Sequence, residues 1–256
     1  MHSWGGLGSQ LYAIALIFEL QKLYSKKKII LIHHTSGVTR REFELHSVLP
    51  LGIQLNQVDD YVTSNRAGDY RGHFRSNKFK LSIKKILGKF LLSLNLDENS
   101  NLGKIKFWTL EIRGHYTKLP ISMDYINYLI NMFNVKSNNE HDFADTLSIH
   151  YRLGDLVDLS GKTFVPTSKL LKVVEDVYKS YSFDKIIIFS DSIEVARKKL
   201  AILTKLTLNI EYSCAPTITV IKDSIKSKYF IGTNSKVSFW IQHLRLHLGK
   251  KSSTIN

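Results

Sequence analysis

The stretch Thr146-Leu147-Ser148-Ile149-His150-Tyr151-Arg152-Leu153-Gly154-Asp155 decides the fold class. Its first part has the pattern of a strand, and the strand runs directly into charged residues and a glycine. In an open parallel sheet, ligands bind beyond the carboxyl ends of the strands. The stretch therefore predicts a strand with a binding site at its end.

Further strands and helices alternate after this stretch. The sequence predicts strands at 185–189, 208–212 and 228–232, and helices at 168–181, 193–203, 218–227 and 235–248. Strands that are about 20–40 residues apart, with helices between them, indicate βαβ crossovers and a parallel sheet.

The amino-terminal half gives a weaker pattern. Gly5-Gly6-Leu7-Gly8 precedes a predicted helix over about 9–25, with Ser9 as its N-cap, and a strand at 29–32. Only Met1 to Trp4 stand before the glycines, so the first strand is either rudimentary or begins upstream. Residues 35–75 are predicted to be irregular, 79–96 amphipathic and 121–133 helical. The polar stretch 134–142 predicts a boundary between lobes of 1–140 and 141–256.

Composition limits the classes of protein to consider. The chain has 256 residues, 43% hydrophobic and 23% charged, which is typical of a globular protein. Its net charge of +14 favours phosphates, nucleic acid or an anionic membrane as partners. Cys214 is the single cysteine, which excludes an intrachain disulfide and a cysteine-based metal cluster. The apolar run at 11–18 falls short of the roughly 20 residues of a membrane span, so we expect a soluble or peripheral protein.

Three polar clusters follow predicted strands, namely His150–Asp155, Ser190–Ser192 and Thr233–Ser238. Polar residues that converge at strand ends are what a nucleotide site requires. Hydroxyls and amides can bind ribose and base, and helix N-termini can face the phosphates. The planar guanidinium of Arg152 matches a diphosphate better than a lysine would. Two alternatives stay open: Arg152 forms an ion pair with Asp155, and the other clusters are helix N-caps. His150 either orients Asp155 or contacts phosphate.

Two familiar kinds of site are excluded. Ser160-Gly161-Lys162-Thr163 lacks the spacing and the abutting strand of a phosphate-binding loop. No Asp-x-Asp and no His-Glu-x-x-His occurs, so the sequence predicts no metal site.

Four motifs together resemble the α-1,2-fucosyltransferase family. His150-Tyr151-Arg152-Leu153-Gly154-Asp155 matches the His-x-Arg-x-Gly-Asp motif that this family shares with α-1,6- and protein O-fucosyltransferases, and it is the most specific of the four. Gly5 to Leu11, Phe189 to Ser192 and Thr233 to Trp240 resemble the family's other segments, in the expected order along nearly the whole chain. Ser9, Leu153 and Phe239 depart from the family pattern.

The resemblance implies a GT-B-like α/β fold of two Rossmann-type lobes, with the nucleotide-sugar site in the carboxyl-terminal lobe. It implies an inverting, metal-independent transfer from GDP-fucose without a cofactor. Arg152 would bind the β-phosphate with support from His150 and Asp155. The other residues expected at the donor site are Gly154, Asp191, Asn234, Ser235 and Ser238, with Gly6, Gly8 and Gln10 approaching from the amino-terminal lobe. Asp155, Glu19 and Glu111 stay open as the general base.

The expected role is transfer to a glycan acceptor in surface polysaccharide (O-antigen-type) synthesis. The protein would be cytoplasmic or peripheral at the inner face of a bacterial membrane. The basic segment 79–92 would either lie on that membrane, which suits an acceptor on a lipid diphosphate, or pack into the core. The alternatives are a transferase with another nucleotide sugar, an inactive sugar-nucleotide binder, and a basic nucleic-acid-binding protein. The last has no recognisable nucleic-acid-binding motif.

Overall fold

The chain divides into two units, Met1–Tyr125 and Ile126–Asn256. The structure, a computed structural model, describes residues 1–36, 40–61, 93–95, 102–106, 109, 111–133, 145–153, 165–207 and 209–255. The polar stretch 134–142 lies outside these ranges, so the division into lobes of 1–140 and 141–256 stays a prediction.

The first unit contains a parallel sheet of three strands in the order β1-β2-β3, formed by β1 (His2–Trp4), β2 (Ile30–Ser36) and β3 (Gln54–Tyr61). Helix α1 (Leu7–Leu23) connects the first two strands. A second parallel pair is formed by β4 (Ser93–Asn95) and β5 (Glu111–Arg113). The glycine turn therefore does follow a strand, one of three residues.

Helix α1 is buried on nearly every side, and Leu11, Ile14 and Ile17 have no exposed surface. The helix begins after Gly6, which is its N-cap, so the prediction of Ser9 as N-cap is wrong. The helix begins earlier than predicted because the chain turns at Gly5, which adopts φ +86°, a left-handed conformation that residues with side chains disfavour.

Two other predictions for this half need correction. Strand β3 lies in a region that was predicted to be irregular, because its polar sequence conceals the strand. Residues 93–95 form a strand although they close the predicted amphipathic stretch. The basic segment 79–92 lies outside the described residues. The predicted helix 121–133 is confirmed as α2 (Met123–Met132).

The second unit contains a parallel sheet of five strands in the order β10-β9-β6-β7-β8. Its strands are β6 (Thr146–His150), β7 (Lys185–Phe189), β8 (Ile210–Ser213), β9 (Tyr229–Thr233) and β10 (Ser252–Ile255). The helices are α3 (Thr167–Ser180), α4 (Ile193–Leu200), α5 (Thr217–Lys226) and α6 (Lys236–His247). Each predicted strand and helix of this half is confirmed within a few residues, and β10 is additional.

The core of the second unit lies around its two central strands. Leu147, Ile149, Ile186 and Ile188 have no exposed surface, and the residues between them in β6 and β7 are buried as well. Consecutive buried residues mean that both faces of these strands are covered, as expected for a parallel sheet. None of the helices in the described ranges is long and apolar enough to cross a membrane.

Candidate functional site

The three polar clusters of the second unit meet at one edge of its sheet. Strands β9 and β7 flank β6, and all three run in the same direction. Their carboxyl ends therefore place His150–Arg152, Ser190–Ser192 and Thr233–Ser238 side by side. This is the edge at which open parallel sheets bind ligands.

The backbone around Arg152 is held by its neighbours on both sides. Its N–H donates to Thr233 Oγ1 at 3.0 Å, and the Thr233 hydroxyl donates to the His150 carbonyl at 3.1 Å. The next N–H, that of Leu153, donates to Asp191 Oδ1 at 2.9 Å. Arg152 itself is half-buried. The position from which its guanidinium extends is thus fixed by β9 and by the turn after β7.

Asp191 and its neighbours organise that turn. Ser190 Oγ accepts from the Ser192 N–H at 3.2 Å, while Ser192 is the N-cap of α4 without a side-chain bond. Asp191 is exposed, and its Oδ1 accepts the Leu153 N–H at the sheet edge. The N-cap interpretation of this cluster is thus correct for Ser192, and Asp191 in addition supports the strand end of β6.

His150 contacts the amino terminus of α6. Its Nδ1 lies 2.8 Å from Ser238 Oγ and 3.4 Å from Ser235 Oγ. Ser235 is the N-cap of α6, and its side chain accepts from the Ser238 N–H at 3.0 Å. The N-cap interpretation of this cluster is thus correct for Ser235. Ser238 is fully buried, whereas Asn234 is exposed.

The imidazole of His150 is neutral at physiological pH. Burial lowers the pKa of His150 to about 4, with a further decrease from the positive charge of Arg152 and an opposing contribution from Asp191. The edge therefore combines a cation whose backbone is held on both sides, a neutral ring and the positive end of the α6 dipole, all suited to an anion.

Gly232 allows α6 to approach the sheet and was not predicted from the sequence. It pairs with His150 across β9 and β6. A Cβ at this position would lie 2.7 Å from Ser238 Cβ and 2.9 Å from the Phe230 ring. The sequence signal that could have identified Gly232 is its place as the penultimate residue of a strand. Glycine inside a strand often marks a site where another backbone approaches closely.

In the first unit, Gln10, which was predicted to lie near the donor, forms hydrogen bonds that connect two backbone segments. It is fully buried, and its Nε2 donates to the carbonyls of Gly5 at 3.1 Å and Glu42 at 2.8 Å. Its Oε1 accepts from the Glu44 N–H at 2.8 Å. Gln10 therefore ties the glycine turn to residues 42–44 through backbone groups. Gly6 is the N-cap of α1 and Gly8 is buried in its first turn, and their approach to a donor stays a prediction.

The candidate bases are only partly described. Glu19 accepts a short hydrogen bond from the Ser122 hydroxyl and lies 3.6 Å from Lys22, so its carboxylate is engaged within the first unit. The Glu111 side chain, Asp155 and Gly154 lie outside the described residues. Glu44 was not predicted, and its carboxylate has no hydrogen bond or ion pair to any residue that the structure describes. Partial desolvation raises the pKa of Glu44, against the charge of Arg41.

Comparison of the sequence with protein-family models and with curated proteins finds no match. Solved structures do match. E. coli heptosyltransferase WaaC with ADP aligns over 99% of this chain and 87% of its own, with a TM-score of 0.50 and 8% identity. POFUT1 in complex with GDP-fucose aligns over 93% and 76%, with a TM-score of 0.41 and 15% identity. A glycosyl transferase of family 9 from Veillonella parvula aligns over 99% and 79%, with a TM-score of 0.44 and 10% identity.

These similarities concern the fold. Of the three structures, the heptosyltransferase alone reaches a TM-score of 0.50, and at 8% identity it is informative about architecture only. Together with the parallel sheets of both units, it confirms the predicted α/β, GT-B-like fold class. The chain has a glycosyltransferase-like fold.

Proposed function

We propose that this protein is an inverting, metal-independent glycosyltransferase that moves L-fucose from GDP-fucose to a glycan acceptor in surface polysaccharide synthesis. The fucosyl donor and the α-1,2 specificity rest on the resemblance of the four motifs to α-1,2-fucosyltransferases. The glycosyltransferase-like fold supports the broader reaction class.

The main support is the placement of Arg152. Thr233 and Asp191 hold the backbone on either side of it, at the carboxyl end of the central strand β6. The amino terminus of α6 adjoins the same strand end through the contact of Ser238 with His150. An arginine whose backbone is held in place beside a helix N-terminus suits a diphosphate. The guanidinium can donate two parallel N–H bonds to the phosphate oxygens.

The proposed chemistry places negative charge next to this cation. The acceptor hydroxyl oxygen bonds to C1 of the sugar while the bond from C1 to the β-phosphate oxygen breaks. The departing GDP keeps the electron pair, and the acceptor hydroxyl loses its proton to a base. Fixed donors that face the developing charge lower the barrier, and removal of one such donor typically costs about 100- to 1,000-fold in kcat.

The other interpretations make different predictions for nucleotide binding. A transferase with another donor sugar would prefer UDP, CMP or dTDP to GDP. A nucleic-acid-binding protein is favoured by the charge of +14 and by the basic residues between Arg66 and Lys89. Such a protein would bind RNA weakly, release it as salt is added, and keep it when GDP is added. An inactive transferase would bind GDP but neither transfer nor hydrolyse GDP-fucose.

A thermal-shift screen of GDP, UDP, CMP and dTDP tests the proposal. At 100 times its Kd, GDP should stabilise the protein by about 2.7 kcal/mol, which corresponds to a rise in Tm of about 5–10 °C for a chain of this length. Arg152→Ala should abolish the rise, because the diphosphate loses its cation, and should abolish transfer from GDP-fucose.

Arg197→Ala is the matched control, because it removes the same charge from the exposed surface of α4. This variant should keep the GDP-dependent rise. If Arg152→Ala and Arg197→Ala respond to GDP alike, or if none of the four nucleotides raises Tm, the proposed function is wrong.

A further inference from the structure

Two hydroxyl groups at the start of α6 converge on one nitrogen of His150. Ser238 Oγ lies 2.8 Å from Nδ1, and Ser235 Oγ lies 3.1 Å from Ser238 Oγ. Ser235 also accepts the Ser238 N–H as the N-cap of α6. The two serines thus serve the helix terminus and the imidazole at the same time.

The direction of these hydrogen bonds follows from counting donors and acceptors. The Ser235 hydroxyl donates to Ser238 Oγ. Ser238 is fully buried, so its own hydroxyl hydrogen needs an acceptor. Within the described residues, the remaining polar contact of Ser238 Oγ is Nδ1 of His150. If Nδ1 carried the proton instead, the Ser238 hydrogen would be left unpaired in a buried site, which is costly.

We propose that Ser235 and Ser238 fix His150 as the Nε2–H tautomer, so that the imidazole presents a neutral, oriented donor to an oxygen of the nucleoside diphosphate. Ser238 is then a positioning residue that acts through His150. The inference rests on the proposed function for its ligand, but the tautomer itself is a property of the ligand-free protein.

Two further observations support this assignment. Nε2 of His150 makes no hydrogen bond to any residue in the described ranges, and His150 keeps some exposed surface, so a ligand oxygen can supply the missing partner. Burial and the charge of Arg152 keep the pKa of His150 near 4, so the ring stays neutral and one of its nitrogens must accept. A neutral donor also avoids repulsion with Arg152 at the same strand end.

The tautomer is measurable by ¹⁵N NMR on the full-length, ligand-free protein with labelled histidine. The His150 signals are assigned by their absence from the spectrum of His150→Gln. We expect protonated Nε2 and unprotonated Nδ1 in the wild type, and a shift towards the Nδ1–H form in Ser238→Ala. Protonated Nδ1 in the wild type would overturn the proposal, whatever the nucleotide results are.

Two substitutions of His150 test the ligand contact without altering the serines. The amide nitrogen of glutamine reaches approximately the position of Nε2, and that of asparagine the position of Nδ1. With GDP as the probe, His150→Gln should bind within about threefold of the wild type and His150→Asn at least about tenfold more weakly, the size expected for one lost hydrogen bond to a charged group.

These experiments distinguish failure of the proposed role of His150 from failure of the proposed function. Equal binding by His150→Gln and His150→Asn, or tighter binding by the latter, would overturn the role of Nε2. If the wild-type protein does not bind GDP at all, the proposed function fails, while the tautomer is still decided by the ligand-free spectrum.

Discussion

His150 couples the stability of the second unit to pH. Its folded pKa of about 4 lies below the unfolded value of 6.5, so its stabilising contribution is complete above pH 6.5 and is lost as pH falls towards 4. In that window the unfolded chain binds a proton that the folded protein excludes. We expect the free energy of unfolding to fall by at most about 1.4 kcal/mol per pH unit from this residue.

Urea denaturation at several pH values between 7 and 4 measures this dependence. His150→Gln removes the titrating group, so its stability should fall less steeply than that of the wild type. Burial also lowers the pKa of His33 and His243, but these residues are present in both proteins and cancel in the difference. Parallel curves for the two proteins would contradict the assignment.

At the same scale, the sequence predicted where residues lie along strands and turns better than which groups they contact. Arg152 was predictable because a strand pattern ends directly before it, and Asp191 for the same reason. Gln10 belongs to a recognisable motif, yet its amide bonds only backbone groups. The partners at Glu42 and Glu44 are more than 30 positions away, and no local pattern contains that information.

At the scale of elements, one buried arginine joins two helices and a strand. Arg245 of α6 has no exposed surface, and its Nη1 donates to the carbonyls of Ser224 at 2.7 Å, Ile225 at 3.2 Å and Ser227 at 2.7 Å, at the end of α5. Its Nη2 donates to the carbonyls of Lys228 and Lys251, the latter close to the start of β10. The cation thus satisfies carbonyls at the negative end of the α5 dipole.

Arg245→Met keeps most of the side-chain length and removes these donors. Because several buried carbonyls would lose their partners, we expect a loss of about 3–5 kcal/mol in the free energy of unfolding, measured by urea denaturation. Arg197→Ala on the surface of α4 should change it by no more than about 1 kcal/mol, since it loses an exposed ion pair with Glu194 and a cation–π contact with Tyr212. Equal stability of Arg245→Met and the wild type would show that water replaces the guanidinium at low cost.

Elements with continuous apolar runs were predictable, and polar strands were not. The Ile186–Ile188 run specifies a strand that is buried on both faces. β3 and β10 consist mainly of polar residues, so neither alternation nor an apolar run marks them. Their strand conformation depends on pairing with β2 and β9, which is tertiary information.

At the scale of the whole molecule, fold and function are separate conclusions. The alternation of helices and strands in the carboxyl-terminal half predicts an α/β class with a parallel sheet, whereas the GT-B-like assignment follows from the resemblance of the four motifs. The donor cannot follow from that class, since one fold hosts many reactions. Under the proposed function, the choice of nucleotide would depend instead on a few side chains at one sheet edge, among them His150, Arg152 and Asp191 of the second unit.

Hydrogen exchange with mass spectrometry locates that edge within the full-length protein. Addition of GDP should slow exchange at 147–153, 189–193 and 233–238, because nucleotide binding stabilises the strand ends and the start of α6 against local opening. Residues 14–23, the later turns of α1 beyond the predicted donor-side residues Gly8 and Gln10, should show much smaller changes. Arg152→Ala under the same conditions should lose the protection, and Arg197→Ala should retain it. Protection confined to the first unit would place the nucleotide elsewhere, and the carboxyl edge of β6 would no longer be the donor site.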